Sequence, residues 1–445
     1  AAQVEGLPRN VGMHAGGVLI APGKLTDFCP LYVQPNAEAI ISQFDKDDVE
    51  AVGLVKFDFL GLTTLTILDW AVRYVKMLDP QSTIDLDALP LDDQKAFSIF
   101  RTGNTTAVFQ FESRGMRELL KQAPVTRFED IIALVALYRP GPMELIPDFV
   151  ARKSGREKVA HADPRLESIL GPTYGVMVYQ EQVMQIAQVI GGYTLGGADL
   201  LRRAMGKKKP EEMAQHRTIF VEGATKNGVP EAKATQLFDN MEKFAGYGFN
   251  KSHAAAYALL AYHTAYLKVH YLAEFTAANM SVALDDTDKL KIFHDDAVAL
   301  GITFEPPDVN SGGYRFAPVA DDTVRYGLGA IKGTGQGAIE AIIAAREEGG
   351  PFKSLFDFCN RVDRGRINKR VVEALIKAGA FDKLHAERSQ MVASIALAFD
   401  YADTQAANAD QGGLFDFGDS HAASTASVAA SPSTSRIAGS RALAT

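Results

Sequence analysis

The stretch VKFDFLGL, residues 55 to 62, sets Lys56 and Asp58 two positions apart among Val55, Phe57 and Phe59. In a strand, successive side chains point to opposite faces. The three apolar residues are therefore expected against a core, with the ammonium and the carboxylate together on the other face. Such a pair is either a simple ion pair or one corner of a site, and the residues alone leave both open. A second concentration of charge is LLRRAMGKKKPEEM, which holds Arg202, Arg203, Lys207, Lys208 and Lys209. Arg203 and Lys207 stand one helical turn apart. The cluster suits nucleotide phosphates or a nucleic-acid backbone; equally, it is a solvated helix end whose lysines favour the C-terminal dipole.

In GFNKSHAAAYALLAYHTAYLKVHY, Ser252 is the expected N-cap of a strong helix. Lys251 and His253 then sit where helix-end N–H groups gather anions. The segment VRYGLGAIKGTGQGAIEAI carries Lys332, Gly333 and Gly335 in the hairpin pattern of a helix-hairpin-helix element. Both glycines are expected to permit the turn. NKRVVEALIKAGAFD, with Lys369 and Arg370, reads as a degenerate second copy. Contacts of this kind grip the backbone of a duplex without reading its sequence. DQGGLFDF offers Gln411, Leu414 and Phe415 as a short peptide for a preformed pocket, or as a cap on the last folded part. Asp85 and Asp87 form a D-x-D better explained as a turn, with Asp92 or Asp93 capping the helix that follows. QFDKDDVE reads as a charged surface turn.

These residues need elements to hold them. GGVLIAP, ISQFD and VKFDF carry strand signals bounded by Gly or Pro. From about 64 to 300 apolar residues recur at helical spacing, strand-like pieces return between 302 and 331, and compact helices follow. The last residues are rich in Ala, Ser and Thr and are expected to be disordered. Of the 445 residues 47% are hydrophobic, which suits a globular chain of about three domain-sized units. No apolar run reaches the ~20 residues that span a bilayer. Cys29 and Cys359 give no disulfide framework, and a reducing cytoplasm is expected. A net charge of −8 leaves any polyanion contact to local basic patches. The first residue is not Met, and the chain is expected to come from inside a longer polypeptide.

Seven stretches in one order carry a resemblance: GMHAGGVLIAP, KFDFLGLTTLTIL, FQFESRGMRELL, LYRPGPM, GVMVYQEQVMQIA, LLRRAMGKKK and GFNKSHAAAYALLAYHTAYLK. They resemble the bacterial C-family replicative DNA polymerases, the DNA polymerase III alpha-subunit family, from about residue 5 to 417. The resemblance implies an α+β multidomain chain. It comprises the end of the thumb and part of a polymerase-beta-like nucleotidyltransferase palm (1–63), mainly helical fingers (64–324), a tandem helix-hairpin-helix region (325–392), a linker with a clamp-binding peptide (393–417) and a disordered tail (418–445).

On that resemblance Asp58 is the third catalytic carboxylate and a metal ligand, with Lys56 near the incoming nucleotide's phosphates. Arg202, Arg203, Lys207, Lys208, Lys209, Lys251 and His253 bind triphosphate or template-primer. Lys332, Gly333, Gly335, Lys369 and Arg370 hold duplex DNA, Gln411, Leu414 and Phe415 bind the sliding clamp, and His14 opens the palm strand region. The implied reaction is nucleotidyl transfer from a deoxynucleoside triphosphate to a primer 3′-hydroxyl with two Mg²⁺ ions. The implied partners are primer-template DNA, deoxynucleotides, the sliding clamp and other holoenzyme subunits, in the bacterial cytoplasm. The family's other two carboxylates belong to a P-D-x-D-x-D-F stretch that this sequence lacks, so the chain alone is expected to be inactive. The alternatives are a non-catalytic DNA- and clamp-binding module and an error-prone C-family polymerase.

Overall fold

The computed structural model describes residues 12–14, 16–35, 39–207, 210–245 and 247–412. Near the start, β1 (Gly17–Ile20) pairs antiparallel with β4 (Val55–Asp58), and β2 (Leu31–Val33) with β3 (Ile40–Ser42). Helix α1 (Lys46–Ala51) lies between β3 and β4. The stretch expected as a charged turn is thus helical, because the Asp45 side chain accepts from the amides of Asp47 and Asp48 and caps it. Cys29, Val49 and Leu54 form a small core with Leu19 and Phe44 packed on it.

The expected orientation of β4 is reversed. Val55, Phe57 and Phe59 are 57%, 43% and 70% exposed. Across the ladder Val18 opposes Phe57 and Ile20 opposes Val55, giving an apolar stripe that no described residue buries. Lys56 does share a face with Asp58, but it is the half-covered face with Leu19. Alternation set which residues go together; the surroundings set which face is covered.

Helices follow as α2 (Thr63–Leu78), α3 (Gln94–Thr102), α4 (Arg114–Gln122), α5 (Phe128–Leu137), α6 (Ile146–Lys153), α7 (Glu167–Leu170), α8 (Gln180–Val189) and α9 (Leu195–Lys207). After them come α10 (Pro210–Lys226), α11 (Glu231–Ala245), α12 (Lys251–His270), α13 (Leu272–Val282) and α14 (Thr287–Ala299). A three-stranded sheet then forms from β5 (Thr303–Glu305), β6 (Ala317–Ala320) and β7 (Thr323–Arg325), ordered β5-β7-β6. The chain ends its described part with α15 (Gln336–Gly349), α16 (Leu355–Arg361), α17 (Lys369–Lys377) and α18 (Arg388–Gly412). Two compact units divide between Ile339 and Glu340, inside α15.

Within the first unit α12 is the axis. It is apolar on nearly every side, as a helix surrounded by others must be, and Ala254, Ala258, Ala261 and Ala265 are fully buried. These small residues let α3 and α5 approach, with Phe97, Phe100 and Phe111 filling the space between. A second core unites α7 to α11 around Phe220 and Phe238, and a third joins α2, α13 and α14 to the sheet. Where α10 passes residue 191, a Cβ on Gly223 would stand 2.0 Å from the Gly191 carbonyl, so only glycine fits. The second unit closes on Phe358, whose ring meets Phe352 and Phe381 edge-on at 4.9 Å each. Arg361 donates to the carbonyls of Ala345 and Gly350 and so satisfies the end of α15.

Two local expectations are met. Asp85 accepts from the Asp87 amide in a turn, as a structural D-x-D should. Asp93 is the N-cap of α3. Among the described residues no helix is long and apolar enough to cross a membrane. Leu414 and Phe415, and the tail 418–445, lie outside the described residues; Gln411 falls in the last turn of α18.

Candidate functional site

Strand β4 carries Lys56 and Asp58 on one face, and Lys56 Nζ donates to Asp58 Oδ1 at 2.8 Å. That hydrogen bond holds the Asp58 carboxyl below its ordinary value, helped by the charge of Lys56. His14 Nδ1 itself accepts from the Gly16 amide at 3.2 Å. Asp58 is thus ionised and solvent-facing at the end of a strand. Among the described residues no three His, Cys, Asp or Glu side chains stand together as a metal-holding group. One carboxylate already bonded to an ammonium does not fit two magnesium ions by itself.

Arg202 and Arg203 of α9 and the first turn of α12 belong to one hydrogen-bonded assembly. Arg202 and Arg203 both reach Asp199, at 2.8 Å each. Arg202 also donates to Gln180 Oε1 at 3.2 Å. From the same α8 start, Glu181 accepts from the Lys251 amide at 2.9 Å and from Asn250 Nδ2 at 2.9 Å. The cap of α12 is Asn250, not Ser252, because its Oδ1 takes the His253 amide at 2.8 Å. The anion expected at this helix end is therefore supplied from within, by Glu181. Lys251 forms no ion pair among the described residues, its Nζ lying 5.6 Å over the Tyr179 ring. His253 is flanked by Phe249 and Tyr257, with centroids 5.3 and 4.4 Å away. Lys207 ends α9, while Lys208 and Lys209 lie outside the described residues.

The turn before α12 is held from two sides. Arg139 donates to the Tyr247 carbonyl at 3.1 Å, and its guanidinium lies 4.0 Å over the Phe249 ring. Burial pulls the Arg139 pKa below its ordinary value. Gly141, at φ +99°, faces Tyr247 so closely that a Cβ would come within 2.5 Å of the ring. Arg139, Gln180, Glu181 and Asp199 escaped the sequence reading as site residues. The signal was present, since LYRPGPM and GVMVYQEQVMQIA contain three of them, but neither stretch is basic. Their role exists only once distant segments meet.

Lys332 is exposed beside Gly333, whose φ of +94° requires glycine or strain. Gly335 has no positive φ and open space where a Cβ would stand, so the turn does not need it. The element before this hairpin is a single 3₁₀ turn, Leu328–Ala330, rather than a full helix, with only Tyr326 and Gly327 between it and the end of β7 at Arg325. In the second unit, Lys369 and Arg370 open α17 and are exposed, with Asn368 capping the helix through the Val371 amide at 3.0 Å.

Residues 1–61 match the family model of the bacterial DNA polymerase III alpha NTPase domain. Residues 64–228 match the bacterial DNA polymerase III alpha subunit finger domain, and 301–391 the helix-hairpin-helix motif. The chain is 61% identical over 416 residues to DNA polymerase III subunit alpha of Neisseria meningitidis serogroup B, covering 94% of this chain and 36% of that protein. It is 53% identical over 416 residues to the Escherichia coli K12 subunit, covering 91% and 36%, and 55% identical over 402 residues to that of Vibrio cholerae O1, covering 88% and 35%. The chain spans about a third of the length of the curated relatives it matches. On these matches the chain belongs to the bacterial DNA polymerase III alpha-subunit family.

Proposed function

We propose that the chain serves templated DNA synthesis, supplying part of the palm, the fingers and the duplex-holding region of a replicative polymerase. The observation that carries this reading is the joining of Arg202 to the start of α12 through Gln180 and Glu181, which sets guanidinium, ammonium and imidazole groups in one assembly. Such a group suits a triphosphate: charge-assisted bonds from Arg202, Arg203, Lys207, Lys208, Lys209 and Lys251 to phosphate, with His253 beside them. Asp58 contributes one carboxylate toward magnesium, and the remaining ligands come from elsewhere in a complete polymerase. When bound, the ions would activate the primer hydroxyl and offset charge on the leaving pyrophosphate. Lys332, Gly333 and Gly335, and separately Lys369 and Arg370, face duplex phosphates. Gln411, Leu414 and Phe415 engage a sliding clamp, and further holoenzyme subunits attach through other parts of the polypeptide.

The test is a chimera in which this chain replaces the corresponding segment of the Neisseria relative. The chimera extends a primer, and Asp58→Ala reduces extension by at least a thousandfold. Arg202→Ala raises the KM for deoxynucleotides. Full extension by the Asp58→Ala chimera would overturn the assignment. A second reading, of the isolated chain as a DNA-binding module without turnover, is favoured by the ion-paired, solitary Asp58. It predicts duplex binding and no incorporation by the chain alone.

A further inference from the structure

We infer that Gln180 is a positioning residue that ties Arg202 to the first turn of α12, so that the two sources of positive charge act on one triphosphate. This rests on the nucleotide reading above. Three bonds converge on Gln180. Its backbone amide donates to the Phe249 carbonyl at 2.9 Å, its Nε2 donates to the Gly248 carbonyl at 3.1 Å, and its Oε1 accepts from Arg202 at 3.2 Å. A primary amide can do this because it carries donor and acceptor on one planar group. Neither a carboxylate nor an amine offers both.

The neighbours make the tie rigid. Phe249 returns its own amide to the Val178 carbonyl at 3.2 Å, forming a bridge across Tyr179 and Phe249. A Cβ on Gly248 would come within 3.1 Å of Gln180 Cγ, so the two chains run in close contact. Glu181, the next residue, holds Asn250 and Lys251. Every residue from Tyr247 to Lys251 is thus gripped by Arg139 or by the 178–181 segment. Among the described residues, only Gln180 extends this hydrogen-bonded grip to α9. Arg202 divides its guanidinium between Asp199 on its own helix and Gln180. Without Gln180 it keeps only the local partner, and its direction relative to Lys251 and His253 is lost.

The experiment is a double-mutant cycle in the chimeric polymerase, with steady-state KM and kcat for deoxynucleotides. Gln180→Met is expected to raise KM on the order of fivefold to tenfold with kcat within about twofold. In the Arg202→Ala background it is expected to change KM by less than about twofold. Equal effects in both backgrounds would overturn the tie and leave Gln180 a packing residue. An unchanged KM in Arg202→Ala itself would instead sink the nucleotide reading, and the inference with it. If the Met variant does not fold, Gln180→Ala, which also removes the acceptor for Arg202, runs the same cycle under the same criteria.

Discussion

Asp130, near the start of α5, is 1% exposed, yet it is held as a carboxylate. Burial opposes its charge, but Lys153 Nζ at 2.6 Å, the Thr126 amide at 2.9 Å and Tyr174 Oη at 2.9 Å more than offset that, and its pKa lies below the ordinary value. Lys153 is itself buried, its side chain 6% exposed. Asp130→Ala therefore strands an ammonium in the interior, which costs ~3–5 kcal/mol. Spread over a first unit ending at Ile339, at ~2.1 cal/mol/K per residue, this predicts a fall in Tm of roughly 4–7 °C. Calorimetry and urea titration measure it. Replacing both partners, Asp130→Leu with Lys153→Met, is expected to recover most of the loss. Because the folded pKa is depressed, the stabilisation is complete above the unfolded aspartate value of ~3.9 and fades as pH falls through the lowered value. An Asp130→Ala cost below about 1 kcal/mol, or a double variant no better than the single, would refute the argument.

Other perturbations follow from the same geometry. Gly141→Ala meets both a positive φ and the Tyr247 ring, so it should lower Tm by a few degrees and raise the nucleotide KM of the chimera. Lys56→Met removes the main cause of the depressed Asp58 pKa, and a carboxyl NMR titration should show Asp58 moving up toward the ordinary aspartate range. Cys359 is buried, which pushes its thiol up to about 11, and Cys29 is buried as well. Neither should react with a thiol reagent at pH 8 in the native chain, whereas both should in 8 M urea (reagent conditions of about that pH and strength).

Family membership, the helical middle of the chain and the sheets near 17–58 and 303–325 were legible in the linear sequence. Motif order and hydrophobic period are local properties, and they survive without knowledge of the fold. That Lys56 and Asp58 share a face followed from alternation alone. Which face of β4 is covered did not, because period 2 is symmetric between the faces and only neighbouring elements break the tie.

The cap of α12 was misplaced by two residues for a related reason. Asn250 and Ser252 are both good caps in isolation, and Asn250 prevails where Glu181 accepts from both its side-chain Nδ2 and the Lys251 amide. Charge clustering marked Arg202 and Arg203 as candidates, and position at an expected helix start marked Lys251, both visible in one dimension. What only the tertiary structure decided is that Gln180, 22 residues from Arg202 and 68 from Gly248, stands between them. A neutral amide has no signature in a sequence. Its bonds form only after packing has brought two separate segments, α9 and the turn at 248–249, within 3.2 Å of it.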